Sequence, residues 1–325
     1  MKTIKQLLSD YLEEASFNDY PLQALYEPID YIFSLGGKRM RPMLALLSCQ
    51  LFSDDVKPAM PVAYAIEMYH NLSLVHDDIM DDAALRRGQP TIHEKYNTNT
   101  AILSGDVMLL YAYKHLHKTD PQYWTQILPI FTQVAIGVCE GQQMDVDFEE
   151  RTDVDLSEYL KMIELKTSVL LYGAMKMGAL IGGSSEEDAQ LAGEFGRNMG
   201  IAFQIKDDWL DTYGAQAKVG KRIGGDIIQN KKTALVIKAL ELSDKETAKR
   251  LRHLLSTNPP AEEEAQKIAE VTHIFTQVGI PDEMAQLMEV YRQKAQDSLD
   301  QLQNTSDARK APLYGFLDAF MVRES

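Results

Sequence analysis

Apolar residues recur at three- and four-residue spacing along most of this 325-residue chain. One segment, LSEYLKMIELKTSVLLYGAMKMGALIGG, keeps this spacing until it ends at Gly182 and Gly183, and a second keeps it from Glu186 to Asp211. This spacing is typical of amphipathic helices, and alternating β-branched runs with hairpin turns are scarce. The pattern therefore predicts an all-α protein with many helices.

The predicted breaks between helices are short, and none has the length or composition of a flexible linker. They fall at residues 36–37, 53–61, 88–99, 118–122, 214–225 and 256–260. Pro61 suits the first turn of the helix that follows the second break. With 45% apolar residues the chain can bury one large core, so we predict a single domain that spans residues 1–325.

Composition and charge argue against several classes of function. The formal net charge is −15 and no basic tract stands out, so nucleic acid is not expected as a partner. The two cysteines, Cys49 and Cys139, belong to no paired motif, as expected in the reducing cytoplasm. The N-terminal segment MKTIKQLLSDYLEEASF has the pattern of an amphipathic helix, and no apolar run is long enough for a transmembrane segment.

Two Asp-Asp-x-x-Asp clusters each follow a strongly apolar helical stretch, at residues 72–75 and 201–205. The clusters consist of Asp77, Asp78 and Asp81, and of Asp207, Asp208 and Asp211. In a helix, residues four apart lie on one face, where carboxylates repel one another unless cations neutralise them. A solvated helix end explains one such cluster as well as a metal site does, but two in the same context favour metal. Oxygen ligands suit magnesium first, and two clusters that face each other would hold a diphosphate through bridging ions.

Basic residues accompany both acidic clusters. The candidates are Lys38, Arg39 and Arg41 in GGKRMRP, Arg86 and Arg87 after the first cluster, Lys166 with Thr167 in ELKTS, and Lys221, Lys231 and Lys232 after the second cluster. Glycines before a helix start let backbone N–H groups approach an anion, and a guanidinium group matches phosphate oxygens in pairs. Each residue alone is better explained as a surface cation. Together with the carboxylates, they indicate a site for a magnesium-bound diphosphate.

Five ordered segments between about Tyr26 and Lys232 resemble the signature blocks of trans-isoprenyl diphosphate synthases, the polyprenyl synthetases. The segments are GGKRMRP, HNLSLVHDDIMDDAALRRGQPT, AILSGD, IELKTS and FQIKDDWLD. This resemblance implies an all-α fold of the isoprenoid synthase type, in which many helices surround a deep central cavity, usually in a homodimer. It also implies a magnesium-dependent enzyme that uses three ions.

The resemblance also assigns roles to single residues. Metal binding falls to Asp77, Asp78, Asp81, Asp207, Asp208 and Asp211. The residues assigned to binding of the allylic diphosphate are Arg86, Lys166, Thr167, Gln204, Lys221 and Lys231. The residues assigned to binding of isopentenyl diphosphate are Lys38, Arg41, His70 and Arg87. Catalysis, as stabilisation of the departing diphosphate, falls to Lys166, Arg86, Lys221, Asp77, Asp81 and Asp207.

Two positions leave alternatives open. A satisfied core histidine is the simpler interpretation of His70, but it lies two helical turns before Asp77 on the same face, which favours a role in the pocket. Gly225 stands where many members of the family carry a lysine. The sequence does not decide whether Lys231 or Lys232 compensates for it.

The implied reaction joins isopentenyl diphosphate head to tail with an allylic diphosphate (C5, C10 or C15) by ionisation, condensation and elimination. Three alternatives remain. A terpene cyclase normally replaces the second aspartate cluster and has no use for Lys38, Arg41 and Arg87. A metal-dependent phosphohydrolase built on His76 and Asp77 would need a further set of histidines. A non-catalytic subunit of a heteromeric synthase would tend to lose the aspartates, which this chain keeps.

Product length should depend on the helix before Asp77, along which the growing tail is expected to run. One isoprene unit spans about 5 Å and one helical turn rises about 5.4 Å, so each turn corresponds to roughly one unit. Leu72 and Ser73 stand where farnesyl-producing relatives often carry aromatic residues, and Tyr69 lies one turn deeper. With Tyr69 as the floor, the product is geranylgeranyl diphosphate (C20). Farnesyl and longer products (C25 to C40) stay alternatives.

Overall fold

A computed structural model describes residues 3–214 and 223–321, which are almost entirely helical. The α-helices are α1 (Ile4–Glu14), α2 (Gln23–Ser34), α3 (Met40–Gln50), α4 (Met60–Met80), α5 (Ile92–Lys95), α6 (Thr98–Leu116), α7 (Trp124–Glu150), α8 (Leu156–Ile163), α9 (Val169–Ile181), α10 (Glu186–Tyr213), α11 (Gly225–Ile228), α12 (Ala234–Leu242), α13 (Lys245–Leu254), α14 (Glu264–Gln277), α15 (Ile280–Asp300) and α16 (Asp307–Met321). Two 3₁₀ turns, Lys57–Ala59 and Pro121–Tyr123, lead into α4 and α7. The all-α prediction is confirmed.

A small β-hairpin interrupts the helices after the first aspartate cluster. Its strands are β1 (Leu85–Arg86) and β2 (Gln89–Pro90), which pair antiparallel with Arg86 opposite Gln89. The two turn residues, Arg87 and Gly88, both have left-handed backbones, with φ of 55° and 75°, as a tight hairpin turn requires. No strand was predicted here, because strands of two residues are too short to show an alternating pattern.

The long predicted helical segments form helices close to their expected limits. Pro61 lies in the first turn of α4, and α10 covers the segment that begins at Glu186. The segment that starts at Leu156 differs, because a π-helical turn, Glu164–Ser168, separates α8 from α9. A π-helical turn accommodates one extra residue within a continuous helical path. The apolar spacing alone therefore did not reveal it.

The chain divides into two compact units, each made from several segments. The first contains residues 1–136, 170–196 and 298–313, and the second contains residues 137–169, 197–297 and 314–325, of which the described residues are discussed below. The single domain inferred from the sequence stays a prediction.

The first unit is built around α4. Every side chain from Met60 to Tyr69 is buried, so this part of the helix is covered on all sides, chiefly by α3 and α6. The helix α9 crosses α3 closely at Gly178, where a Cβ atom would lie 2.1 Å from the carbonyl oxygen of Ala45. This dense packing fixes α4, and with it the aspartates at its C-terminal end.

The second unit has its own apolar core around α14. That helix packs against α11, α12 and α13, and its buried residues include Val271 and Phe275. Tyr159 from α8 and Ile205 from α10 belong to the same core. The core therefore supports the end of α10 that carries the second aspartate cluster. Within residues 3–214 and 223–321, no helix combines the length and hydrophobicity needed to cross a membrane.

Candidate active site

The first aspartate cluster lies at the C-terminal end of α4. Asp77 is partly buried, Asp81 is exposed, and the Asp81 N–H group donates to the carbonyl oxygen of Asp77 at 2.9 Å. Asp78 is buried and accepts two hydrogen bonds from Arg86, from Nε at 2.8 Å and from Nη2 at 2.7 Å. A buried carboxylate requires such a partner, so Asp78 holds Arg86 and the hairpin against the cluster.

Arg41 and His70 form a polar pair in the first unit. The Nη1 atom of Arg41 lies 3.1 Å from Nε2 of His70. Because a guanidinium group can only donate, Nε2 accepts and the ring is neutral with its proton on Nδ1. Burial, followed by the positive charges of Arg41 and Arg87, lowers the pKa of His70 well below its usual value. His70 therefore orients the guanidinium group of Arg41 and adds no charge of its own.

The second of the two glycines before Lys38, Gly37, is required by a close approach of Arg87. The guanidinium group of Arg87 donates to the carbonyl oxygen of Gly36, and a Cβ atom on Gly37 would lie 2.8 Å from Nη2 of Arg87. Both glycines also have left-handed backbones, with φ of 74° and 134°. The structure thus brings Arg87 beside the loop that carries Lys38, which is exposed.

Arg39 differs from Arg41, although both belong to the motif GGKRMRP. Arg39 donates to the buried carboxylate of Glu67 on α4, and its Nη2 atom donates to the carbonyl oxygen of Phe33 at 2.6 Å. Its φ of 47° is left-handed. Arg39 therefore ties the loop to α4, a role that the sequence did not separate from anion binding.

A polar pocket in the second unit contains most of the residues predicted to bind the allylic diphosphate. The predicted residues that line it are Lys166, Thr167, Gln204, Asp207, Asp208 and Lys231. It is also lined by Lys232, a basic candidate from the sequence, and by residues that were not predicted, namely Asp145, Glu149, Tyr159 and Asp226. The pocket thus combines lysines with an excess of carboxylates, and Lys221 lies outside the described residues.

The π-helical turn presents Lys166 and Thr167 to this pocket. Gly141 on α7 allows the turn to approach, because a Cβ atom there would lie 2.2 Å from the backbone nitrogen of Lys166. One turn further along α7, Asp145 accepts a hydrogen bond from Nζ of Lys166 at 2.6 Å. Asp145 was not predicted from the sequence, because it lies 21 residues before Lys166 in the chain. π-Helical turns are often found at functional sites.

Asp208 is the buried member of the second cluster. Tyr159 donates to its Oδ2 atom at 2.5 Å, and Nε2 of Gln204 donates to its Oδ1 atom at 2.9 Å. Burial, followed by the charge of Asp226, raises the pKa of Asp208 to about 8, and the two hydrogen bonds oppose that shift. Gln204 also accepts a hydrogen bond from Thr167 at 3.2 Å, which connects the cluster to the π-helical turn.

Asp211 lies against the turn that begins α11. Its Oδ2 atom accepts a hydrogen bond from the Asp226 N–H group at 3.0 Å, and a Cβ atom on Gly225 would lie 3.3 Å from its Oδ1 atom. After this turn, Nζ of Lys231 lies 3.9 Å from Asp226, and Nζ of Lys232 donates to the carbonyl oxygen of Glu149 at 2.9 Å. Lys231 is thus the one paired with a pocket carboxylate, and Lys232 caps the end of α7.

The predicted chain-length residues all lie on α4 in the first unit. Tyr69 is buried, donates to the carbonyl oxygen of Ala135 at 2.8 Å, and meets the ring of Phe131 edge-on at 5.7 Å between centroids. Leu72 is also buried. The hydroxyl group of Ser73 donates back to the carbonyl oxygen of His70 at 2.8 Å. The hydroxyl end of the Tyr69 side chain is therefore held by the backbone of α7.

The chemistry of both clusters fits a hard metal ion. Each cluster lies at the C-terminal end of a helix, where the negative pole of the helix dipole adds to the charge of the carboxylates. Burial and the charge of Asp226 raise the pKa of Asp208, so a cation bound there would stabilise its carboxylate form. In the part of the chain that the structure describes, no three His, Cys, Asp or Glu side chains converge closely enough to hold an ion by themselves. Magnesium commonly completes its shell with water and substrate phosphate.

Comparison with known proteins identifies the class to which this site belongs. A family model for polyprenyl synthetase matches residues 22–274. The chain is 36% identical to the short chain isoprenyl diphosphate synthase of Methanothermobacter thermautotrophicus, with 96% of both chains covered. It is 37% identical to the geranylgeranyl diphosphate synthase of Sulfolobus acidocaldarius, with 97% of this chain and 95% of the relative covered. A crystal structure of geranylgeranyl pyrophosphate synthase matches at a TM-score of 0.94 and 42% identity, over 100% of both chains.

The chain therefore belongs to the polyprenyl synthetase family. It is a trans-prenyltransferase, and the resemblance inferred from the five sequence segments is confirmed. Members of this family bind diphosphates with divalent metal ions. The individual site residues stay predictions, as does the expectation that the two aspartate clusters face each other.

Proposed function

We propose that this chain is a geranylgeranyl diphosphate synthase. It joins isopentenyl diphosphate head to tail with an allylic diphosphate and releases a C20 product. The observation that carries the proposal is the pocket of the second unit, where Lys166 and Lys231 lie among the carboxylates of Asp207, Asp208 and Asp226. Lysines together with excess carboxylates suit a metal-bound diphosphate. Similarity to geranylgeranyl diphosphate synthases supports the choice of product.

The proposed cofactor is Mg²⁺, as three ions. When bound, it supplies Lewis-acid stabilisation of the negative charge on the departing diphosphate. The residues that would hold it are Asp77, Asp78, Asp81, Asp207, Asp208 and Asp211. Their oxygen-only donor set and their position at helix C-termini support this assignment.

Ionisation of the allylic substrate is the step that needs the most help. The allylic C–O bond breaks and both of its electrons leave with the diphosphate, so negative charge grows on the diphosphate oxygens. Lys166, Arg86 and Lys221 donate to these oxygens, Lys231 joins them, and Thr167 with Gln204 orients the group. Several fixed cations are required, because an enzyme lowers such a barrier by about 8 kcal/mol or more.

Condensation needs the second substrate to lie beside the allylic cation. Lys38, Arg41 and Arg87 hold the diphosphate of isopentenyl diphosphate, and His70 orients Arg41 as a neutral acceptor. The double bond of isopentenyl diphosphate then attacks the cation and a new C–C bond forms. A proton leaves the condensed product, and the released diphosphate accepts it. Correct placement of the two substrates supplies much of the remaining rate enhancement.

The proposed length determinant is Tyr69. Its ring lies against Phe131 and its hydroxyl group is bonded to α7, so it is held firmly enough to stop a growing tail. The smaller side chains of Leu72 and Ser73, one turn closer to the aspartates, leave room for one unit beyond farnesyl. A farnesyl product would require a stop at Leu72 or Ser73, and a C25 or longer product would require passage beyond Tyr69.

We further propose a homodimer and a cytoplasmic location. The outward face of α6 exposes Ile102, Leu103 and Leu110, whose side chains would be covered by a second copy of the chain. Both cysteines, Cys49 and Cys139, are free thiols, which suits a reducing compartment.

Product analysis tests the proposed function directly. The purified chain is incubated with MgCl₂, labelled isopentenyl diphosphate and a C5, C10 or C15 allylic diphosphate, and the products are identified by mass spectrometry. We expect C20 diphosphate from each starter. A hydrocarbon from farnesyl diphosphate alone would indicate a terpene cyclase, and phosphate release without condensation would indicate a phosphohydrolase. Either outcome, or a product of another length, contradicts the proposal.

A further inference from the structure

Lys267 on α14 is an unusual lysine in the second unit because its ammonium group is buried, with 4% of the residue exposed. Its Nζ atom donates to Oδ1 of Asn230 at 2.6 Å and to the carbonyl oxygen of Thr257 at 2.8 Å. Both acceptors are neutral, and burial lowers the pKa of the lysine. Burial of an ammonium group is costly, and an apolar side chain often fills such a space at lower cost. Packing alone therefore does not account for the contact between Lys267 and Asn230.

Asn230 controls the direction of the chain just before two pocket lysines. Its φ of 56° is left-handed, a conformation that few side chains other than asparagine adopt readily. Its carboxamide is held at both ends, since Oδ1 accepts from Lys267 and Nδ2 donates to Asn258 at 2.8 Å. The backbone at position 230 sets where Lys231 and Lys232 point. Lys267 thus fixes that direction from outside the pocket.

The helix α14, which carries Lys267, also contacts the chain at Gly224, before Asn230. Gly224 has a φ of 78°, and a Cβ atom there would lie 2.7 Å from Cδ1 of Ile268, the residue next to Lys267. The helix α14 therefore contacts the segment 224–233 at Gly224 and at Asn230. The pocket residue Asp226 lies between these two points, and the pocket residues Lys231 and Lys232 follow Asn230 directly. The segment is consequently shaped by α14, although Lys267 itself is not among the residues found to line the pocket.

We propose that Lys267 is a positioning residue that acts through Asn230 to hold Lys231 and Lys232 in place for the allylic diphosphate. This inference rests on the proposed function, which assigns diphosphate binding to that pocket. Without Lys267, the Asn230 side chain loses its main anchor and the two pocket lysines spread over more orientations. Diphosphate binding then weakens, because ordering them on binding costs conformational entropy.

The test compares Lys267→Met, Asn230→Gly and their double variant with the full-length wild type. Methionine removes the ammonium group at similar size, and glycine keeps the left-handed backbone while removing the amide. The control is Lys249→Met, which alters an exposed lysine on α13. Binding of inorganic diphosphate with MgCl₂ is measured by calorimetry. The KM of each substrate, kcat and the thermal midpoint are measured in parallel.

We expect each single variant to bind inorganic diphosphate about tenfold more weakly, the loss that corresponds to one or two hydrogen bonds. The KM of the allylic diphosphate rises by a similar factor and that of isopentenyl diphosphate stays unchanged. The double variant is no weaker than either single one, because both remove the same contact. The control behaves as the wild type.

Wild-type diphosphate binding in both single variants, with only a lower thermal midpoint, would overturn the inference. A loss in Lys267→Met that Asn230→Gly does not reproduce would also overturn it. If Lys267→Met does not fold, Asn230→Gly alone decides between these results. Failure of the proposed function is a separate outcome, since it appears as a wild type that makes no prenyl diphosphate while the binding comparison still gives a result.

Discussion

At the scale of single residues, the partner of each charge decides its role. Arg39 and Arg41 are two positions apart, yet Arg39 is bound to the buried Glu67, whereas Arg41 donates to the neutral ring of His70. Burial lowers the pKa of Arg41 to about 10, and the charge of Glu67 opposes that shift. The positive charge of Arg39 is therefore neutralised by Glu67, whereas the charge of Arg41 has a neutral partner. Arg41 is the arginine better suited to bind an anion.

Replacement of Tyr69 tests the length determinant at this scale. Tyr69→Ala removes the ring that packs against Phe131 and opens the path along α4 by about one helical turn, roughly one isoprene unit. We expect C25 and longer diphosphates in place of C20, as measured by mass spectrometry with labelled isopentenyl diphosphate. Tyr69→Phe, which loses only the hydrogen bond to Ala135, should keep the C20 product. An unchanged product from Tyr69→Ala would exclude Tyr69 as the floor.

At the scale of elements, the contact between α7 and the π-helical turn organises the pocket. The turn brings Lys166 to Asp145, and the missing side chain of Gly141 makes that distance possible. Neither helix alone contains this arrangement. The site geometry therefore depends on how closely the two elements pack.

Gly141→Ala should separate these elements. The added Cβ atom would lie 2.2 Å from the backbone nitrogen of Lys166, so the turn must move and the Lys166–Asp145 pair is broken. We expect a loss of about 2 kcal/mol in unfolding free energy, typical of overpacking, and a fall in kcat of about 100-fold. Urea unfolding and steady-state kinetics measure both.

Gly315→Ala on α16 is the matched control, because a Cβ atom there meets nothing within 4 Å. It should raise the unfolding free energy by about 0.5–1 kcal/mol, since alanine favours the helix, and leave kcat unchanged. Equal unfolding free energies and equal kcat values in the two variants would show that the contact between α7 and the π-helical turn can accommodate a methyl group.

At the scale of the whole molecule, stability should fall in acid because histidines are buried in neutral form. His115 stacks on Tyr64 at 3.9 Å between centroids and accepts from Nζ of Lys118 at 3.3 Å, so its proton lies on Nδ1, which faces Tyr11. Burial, followed by Lys118 and Lys114, lowers the pKa of His115 to about 3. Because this value lies below the unfolded value of about 6.5, the unfolded state binds the proton first as the pH falls.

The His115 contribution is fully present above about pH 6.5 and is lost progressively towards pH 3. Between pH 7 and pH 5 we expect it to lower the unfolding free energy by about 2 kcal/mol, as measured by urea unfolding. His115→Phe, which keeps a ring against Tyr64, should lack this part of the pH dependence. His253→Phe, at an exposed position on α13, should retain it. A pH dependence identical in wild type and His115→Phe would contradict the neutral buried ring.

Assembly is the other property of the whole molecule. Leu110 on α6 is 66% exposed, and a glutamate there would place a charge in the proposed dimer face of each subunit. We expect Leu110→Glu to halve the mass measured by light scattering. Leu242→Glu, at an exposed leucine on α12, should leave the mass unchanged. A wild type that is already monomeric would refute the homodimer.

The sequence by itself determined the features that depend on neighbours along the chain. Three- and four-residue apolar spacing predicted α4 and α10, and the aspartates at their ends follow from the same helices. The family resemblance also came from short contiguous segments. Such features are local, because helical periodicity and motif spacing are fixed by covalent connectivity and hydrogen bonds within a few residues.

Only the tertiary structure decided which distant groups meet. It paired Lys166 with Asp145, Tyr159 with Asp208 and Lys267 with Asn230, and none of these partners followed from spacing in the chain. It also decided that Arg39 donates to Glu67 and that a π-helical turn separates α8 from α9. The physical reason is that contacts between residues far apart in sequence depend on how helices pack, which shape and burial of many side chains set together.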